Sequence, residues 1–352
     1  MKIETLLRLA VEAKASDLHL RVGIPPILRI NGHLIRQEHF PPLSNDDIAD
    51  MLGQIASPEQ KERLAKEKEL DFAYPLDLIA RFRINVMIQR KTLSMACRML
   101  PFEVPSIDGL ELPQICKELI LRPRGLILVT GPTGVGKSTT MAAMIRYLNE
   151  NRDCNVIIIE DPIEYHHQNI KSIIAQRELG EDTDSFDRAL VRALRHDPDV
   201  IVVGEMRDLN TISAAITAAE TGHLVMSTLH TTDAVQTIDR MIDVFPPNQQ
   251  SQIRLQLSQE MLAILSQTLV PRASGKGMIA AFEIVLANPS IRNLIREGRT
   301  YEIPTYMRLH ADSGAQSLDD ALAILIKARK ITREAAMNKS SNPKRLAALL
   351  VS

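Results

Sequence analysis

The sequence predicts a two-part α/β protein. An α+β portion covers residues 1–100, residues 101–112 form a linker, and residues 113–352 make a parallel-sheet portion that ends in helices. Three observations carry that expectation. The segment "IARFRINVMIQR" (79–90) alternates apolar and polar residues with a period of two, as a half-buried antiparallel strand does. After the three prolines Pro101, Pro105 and Pro113, the rhythm changes to short apolar runs, "GLILVTG", "NVIIIED", "DVIVVGE" and "HLVMSTLH", each followed by helical spacing, the pattern of buried parallel strands. Between the first run and its helix lies "GPTGVGKST", Gly131–Thr139.

The elements of the first portion follow in order. "MKIETLLRLAVEAKAS" interleaves Ile3, Leu6, Leu7, Leu9, Ala10 and Ala13 with charges, which predicts an amphipathic helix and excludes a signal peptide. "SDLHLRV", "ILRI" and "HLIR" are strand-like, with a hairpin turn at Asn31–Gly32. Ser44 is placed as an N-cap, and Pro58 opens a second helix. In 79–90 the spacing sets Ala80, Phe82, Ile84, Val86 and Ile88 on one face and Arg81, Arg83, Asn85 and Gln89 on the other. "KTLSMACRML" repeats the device, with Leu93, Met95, Cys97 and Met99 inward and Thr92, Ser94 and Arg98 outward. Beyond Pro246 helices dominate, apart from a strand pair on either side of "SGKG" (274–277).

Composition narrows the function classes. Lys and Arg number 42 against 43 Asp and Glu, so no general polyanion coat is expected. Aromatic residues are 3% with no Trp, too few for the stacking platforms of single-strand binders, and direct nucleic-acid binding is not expected. The three cysteines, Cys97, Cys116 and Cys154, are scattered, which suits a reducing compartment and excludes a four-cysteine zinc module. No run reaches the ~20 apolar residues of a membrane span, so a cytoplasmic chain is expected.

The strongest motif is Gly131, Pro132, Thr133, Gly134, Val135, Gly136, Lys137, Ser138 and Thr139, which fits G-x-x-x-x-G-K-[ST] with a strand before it and a helix after it. Glycines let successive N–H groups converge on a phosphate at the positive end of the helix. Lys137 supplies charge to the β- and γ-phosphates and Ser138 a hydroxyl to Mg²⁺, so ATP and Mg²⁺ are the expected ligands. The acids that serve such a loop stand at the carboxyl ends of parallel strands. Glu160 and Asp161 end one run, with Glu164 three residues on, and Glu205 ends another; Asp199 precedes its strand and lies at the wrong end. Glu205 is the expected metal-supporting acid, with Ser138 and Glu160 contributing, partly through water. The helix in "TDSFDRALVRALRHDPD" gathers Phe186, Ala189, Leu190, Ala193 and Leu194 on one face and Arg188, Arg192 and Arg195 on another.

Together these residues carry a resemblance. The phosphate loop, "IEDPIEY" (159–165), "QRELG" (176–180), "ALRHDPDVIVVGEMRD" and "ETGHLVMSTLHTTDA" stand in the order found in the secretion-superfamily ATPases. "ASDLHL" (15–20), "RFRIN" (81–85) and "SIRNLIREG" (290–298) make the chain similar to the PilT-type ATPases that power type IV pilus retraction. The resemblance implies a PAS-like amino-terminal domain joined to a RecA-like ATPase domain in a homohexamer that powers twitching motility. It places such a ring at the cytoplasmic face of the inner membrane, working on a pilus platform protein, with a paralogous pilus ATPase as a possible further partner. It maps an acidic box onto Glu160, Asp161 and Glu164, a Walker B glutamate onto Glu205 and a histidine box onto His230. Arg81, Arg83 and Arg98 become candidates for an arginine that approaches the phosphates, and either Glu164 or Glu205 can orient the attacking water. The alternatives are an assembly-type or accessory pilus ATPase and a nucleotide-binding ring subunit without turnover.

His223 and His230 bracket one apolar run. Seven residues of strand separate them by roughly 23 Å, which excludes a shared metal. His223, after "ETG", is expected to hold the start of the strand, and His230, at the phosphate-loop end, to sense the γ-phosphate.

Overall fold

The computed structural model describes residues 1–30, 32–77, 79–100, 103–309 and 314–351. The chain forms two compact units, Met1–Glu103 with Glu164–His166, and Val104–Ile163 with His167–Ser352.

The first unit contains α1 (Ile3–Glu12), β1 (Asp17–Arg21), β2 (Ile27–Ile30), β3 (His33–Arg36), α2 (Asn45–Ile55), α3 (Pro58–Glu67), β4 (Glu69–Leu76), β5 (Ala80–Gln89) and β6 (Thr92–Leu100). Its six-stranded sheet runs β3-β2-β1-β6-β5-β4, and every pairing is antiparallel. Ile30 pairs with His33 across the expected hairpin, although Asn31 itself lies outside the described residues, as do Pro101 and Phe102 of the expected linker. The sheet buries Leu18, Leu20, Phe82, Ile84 and Val86 against Ile3, Leu6 and Leu7 of α1 and Ile48 and Met51 of α2. Sharp helix starts fix that cover. Ser44 and Ser57 each accept from the backbone N–H three residues on, and Asp47 and Gln60 accept from the cap N–H groups in return.

Two residues depart from the alternation expected of β5 and β6. Ile88 is exposed because β5 runs on past the packed region, and Ser94 is buried although its spacing puts it on the polar face.

The second unit contains α4 (Ile115–Ile120), β7 (Gly125–Thr130), α5 (Lys137–Asn151), β8 (Asn155–Glu160), β9 (Ile173–Glu178), α6 (Phe186–Ala193), β10 (Val200–Val203), α7 (Leu209–Glu220), β11 (Leu224–Leu229), α8 (Ala234–Asp243) and α9 (Pro247–Glu260). The strands β12 (Met261–Pro271) and β13 (Met278–Leu286) follow, then α10 (Pro289–Arg296), α11 (Ile303–Leu309), α12 (Leu318–Lys327), α13 (Arg333–Met337) and α14 (Pro343–Leu349). The sheet order is β13-β12-β7-β11-β10-β8-β9; β13 is antiparallel to its neighbour and the other pairings are parallel.

The apolar runs have a physical reason. In β7, Leu126 and Leu128 enter the layer shared with α6, α7 and α8, whereas Ile127 and Val129 enter the layer shared with α4 and α5. A strand covered on both faces is apolar throughout except where a hydroxyl finds a partner, as Ser227 and Thr228 of β11 do with the Val203 and Gly204 carbonyls. The C-terminal helices close a separate cluster, in which Leu322, Ile331 and Leu346 pack on Val270 and Ile279 of the β12–β13 pair. Ile107 and Leu112 are buried in the second unit beside α4. The strand β9 was not expected from the sequence. As an edge strand it has one neighbour and leaves Ile173 exposed, so it carries no apolar run.

Candidate functional site

All five central strands of the parallel sheet point their carboxyl ends the same way, and the phosphate-loop residues leave β7 at that rim. Gly131 has φ +143°, and a Cβ there would lie 2.5 Å from the Gln267 carbonyl oxygen, so only glycine lets the loop pass β12. Gly136, at φ +89°, caps the fifteen-residue α5. The loop and the N-terminus of α5 make a turn of the kind whose N–H groups can receive a phosphate, with Ser138 and Thr139 half-buried at its base. Lys137 is buried and donates to the carbonyls of Gly131 (2.8 Å) and Pro132 (3.1 Å), which keeps its charge within the loop.

Glu205, two residues beyond β10, is a hub. One carboxylate oxygen is 2.7 Å from Arg207 Nε and the other 3.3 Å from His230 Nε2. On the far side of the ring, His230 Nδ1 is 3.3 Å from Thr133 Oγ1 of the phosphate loop. With the carboxylate as acceptor, Nε2 carries the proton and Nδ1 accepts from the threonine hydroxyl. The chain Thr133–His230–Glu205–Arg207 therefore joins the loop to the acid through one imidazole. Supports beneath it are buried: Thr228 Oγ1 donates to the Gly204 carbonyl (2.6 Å), and Met206 N–H to the Thr228 carbonyl (3.1 Å).

Glu160 ends β8 in the same unit and accepts from Gln176 Nε2 of β9 (3.3 Å). Asp199 accepts from the N–H of Asn155, the first residue of β8, and so lies at the amino end of the sheet. His223 stands at the same end, with Nδ1 2.9 Å from the Ala218 carbonyl at the close of α7. Arg188 of the basic stripe meets Asp184 (3.0 Å) beside a polar pocket of about 320 Å³ that Arg177 and Arg192 also line.

Glu164, Arg81 and Arg98 belong to the first unit. Arg81 Nη1 is 2.8 Å from Nε2 of His166, two residues from Glu164. Burial, and then the Arg81 charge, hold the His166 pKa below its usual value, so the imidazole is neutral and accepts from the guanidinium. Arg98 donates to Asp17 (2.9 Å) on β1, and Arg83 is 3.6 Å from Asp71 on β4. The structure thus gathers the loop, Glu160, Glu205 and His230 in one body, and Arg81, Arg98 and Glu164 in the other.

Sequence reasoning missed two supporting carboxamide and carboxyl groups. Gln267, buried in β12, bonds the phosphate loop directly. Glu283 of β13 accepts from the N–H of Ala234 (2.9 Å), the first residue of α8. It also lines a cavity of about 580 Å³ beside Thr133 and Asp233. Burial most of all, with Asp233 and Asp319 nearby, pushes the Glu283 pKa up despite that hydrogen bond. The available signal is "SQT" interrupting the apolar β12, where a buried amide has to find partners.

Comparison with known proteins agrees with this architecture. The profile of the family described as type II/IV secretion system protein matches residues 3–281. The type IV pilus retraction ATPase PilT of Pseudomonas aeruginosa is 43% identical over 343 residues, covering 97% of this chain and 99% of that protein. The type IV pilus ATPase PilU of the same organism is 41% identical, over 96% of this chain and 88% of its own. A crystal structure of the pilus retraction motor PilT with bound ADP superposes with a TM-score of 0.93 at 45% identity, over 99% of both chains.

Proposed function

This chain belongs to the type II/IV secretion system protein family, and from that premise we propose that it is an ATP-hydrolysing motor that drives type IV pilus retraction. The observation that carries this is the hydrogen-bonded path from Thr133 through His230 to Glu205, which ties a complete phosphate loop to an acid at the next strand end but one. A purely structural ring subunit has no need of a proton-bearing imidazole between the two.

In this reading the backbone of Gly131–Thr139 receives the phosphates, and Lys137 leaves its loop carbonyls to neutralise the β- and γ-oxygens. No group of three or more His, Cys, Asp or Glu side chains among the described residues could hold a metal unaided. Ser138 and, through water, Glu160 and Glu205 would hold a Mg²⁺ that accompanies the nucleotide, where it would supply charge neutralisation on the β- and γ-phosphate oxygens. Glu205 orients and deprotonates the attacking water, with Glu164 as the alternative base. While the γ-phosphate is present, the Nε2–H of His230 turns from Glu205 to donate to it. Arg81 or Arg98 completes the charge on the transferring group when the domains 1–100 and 113–352, joined by 101–112, close over it.

Differential affinity for ATP and ADP shifts that closure, which is how hydrolysis becomes movement. The working form is a homohexamer on the cytoplasmic side of the inner membrane, bound to a platform protein; no helix of the described residues is long and apolar enough to cross a membrane. The near-equal similarity to PilU supports a second reading, an accessory pilus ATPase that works with a paralogue.

Steady-state phosphate release tests the enzyme. Lys137→Ala and Glu205→Ala are expected to lower it about a hundredfold, the scale of removing one charge-stabilising group. Equal rates in wild type and both variants would leave only the nucleotide-binding subunit.

A further inference from the structure

Most residues that shape the phosphate cradle lie within Gly131–Thr139, but one of its fixtures comes from β12. Ser266 pairs with Thr130, the last residue of β7, and their hydroxyls meet at 3.0 Å. The next residue, Gln267, therefore falls beside the start of the loop. Its side chain is only 3% exposed and reaches two points that bracket the cradle. Nε2 donates to the Val135 carbonyl (2.5 Å), and Oε1 accepts from Thr140 Oγ1 (2.7 Å), itself fully buried. The orientation of the amide is fixed by chemistry. A carbonyl can only accept, so Nε2 must face Val135, and the hydroxyl of Thr140 must then donate to Oε1.

A trans peptide carries its C=O and N–H on opposite sides. When Gln267 holds the Val135 carbonyl toward β12, the N–H of Gly136 is turned the other way, away from the strand and into the turn that opens α5. Gly136 is adapted to the same contact, since a Cβ there would lie 3.1 Å from Gln267 Nε2. We propose that Gln267 is a positioning residue of the phosphate cradle, holding the Val135–Gly136 peptide and the first turn of α5 in the anion-binding arrangement before nucleotide arrives. The inference rests on the nucleotide-binding reading above. Gln267 does not touch the reacting atoms; it removes the cost of ordering the loop at the moment of binding.

The test uses the full chain, with calorimetric titration of ADP and Mg²⁺ alongside initial-rate ATP hydrolysis. Gln267→Leu keeps the volume and strands the Val135 carbonyl and the Thr140 hydroxyl. It is expected to raise the ADP Kd and the ATP KM about tenfold while kcat stays within about twofold, the mark of lost uniform binding. Thr140→Val is expected to raise both about threefold. In the double variant the combined effect should fall short of the product, because both changes break one network. Wild-type Kd and KM in Gln267→Leu, with only a lower melting temperature, would overturn the proposal in favour of a packing role. If that variant does not fold, an unchanged Kd in Thr140→Val overturns it equally. A wild-type chain that binds neither ADP nor ATP refutes the functional reading itself, which separates the two failures.

Discussion

His230 stands between a hydroxyl and a carboxylate, and each neighbour assigns one ring nitrogen a role. Removing the ring leaves Lys137 and the loop backbone untouched, so His230→Ala is expected to bind ADP within about threefold of wild type. Turnover should fall about a hundredfold, the scale of removing one placed hydrogen-bond donor to the reacting group. Parallel calorimetry and phosphate release measure the split, and full turnover in the variant would remove His230 from the mechanism. Much of this residue-level picture was legible beforehand. The phosphate loop is legible because its chemistry demands a fixed local spacing, and His230 and Glu205 because strand ends in a parallel sheet share one rim. Gln267, Glu283 and the His166 contact of Arg81 were not legible, because each bond joins segments that only the finished fold brings together.

At the scale of elements, α8 is the part that would carry a signal away from the nucleotide. It begins four residues after His230, is capped by Asp233, and has its first N–H held by Glu283 of β13. That carboxyl has a raised pKa in the folded chain, so the folded state binds its proton more tightly than the unfolded chain does. Its contribution to stability is complete below the ordinary carboxylate range and is lost as pH rises through the folded value. Glu283→Gln keeps an acceptor for Ala234 and abolishes the titration. The variant is expected to gain stability relative to wild type between pH 5 and pH 8, as read from urea midpoints at both values; an equal difference at the two would show that Glu283 does not titrate in that window. The sequence was also less informative about elements that are one-sided. The apolar cores of β7, β8, β10 and β11 announce themselves, whereas β9 lies at an edge and is half polar. Ile88 continued the alternation of β5 beyond the residues that need burying.

For the whole molecule, the proposal of a retraction motor makes a cellular prediction. Deleting the gene is expected to leave cells with excess surface pili and no twitching, and counting pili by electron microscopy checks it. A bald cell would favour the assembly role, and an unchanged count the accessory one. The two-unit architecture, and the unit that holds each candidate, are what give that motor reading its mechanical content. Arg81 and Glu164 belong to the first unit and the phosphate loop to the second.

The place of β12 also has a consequence for how the protein is made. Thr130 and Ser266 touch across 136 positions of chain, and Gln267 reaches Val135 across 132. A ribosome that has delivered the phosphate loop and α5 has not yet delivered the strand that orients them, and contacts of such long range form late. Nascent chains that end before β12 carry the entire glycine-lysine motif and still lack the amide that bonds the Val135 carbonyl. On the proposed role of Gln267, nucleotide capture during synthesis would wait until the sheet around the loop has assembled.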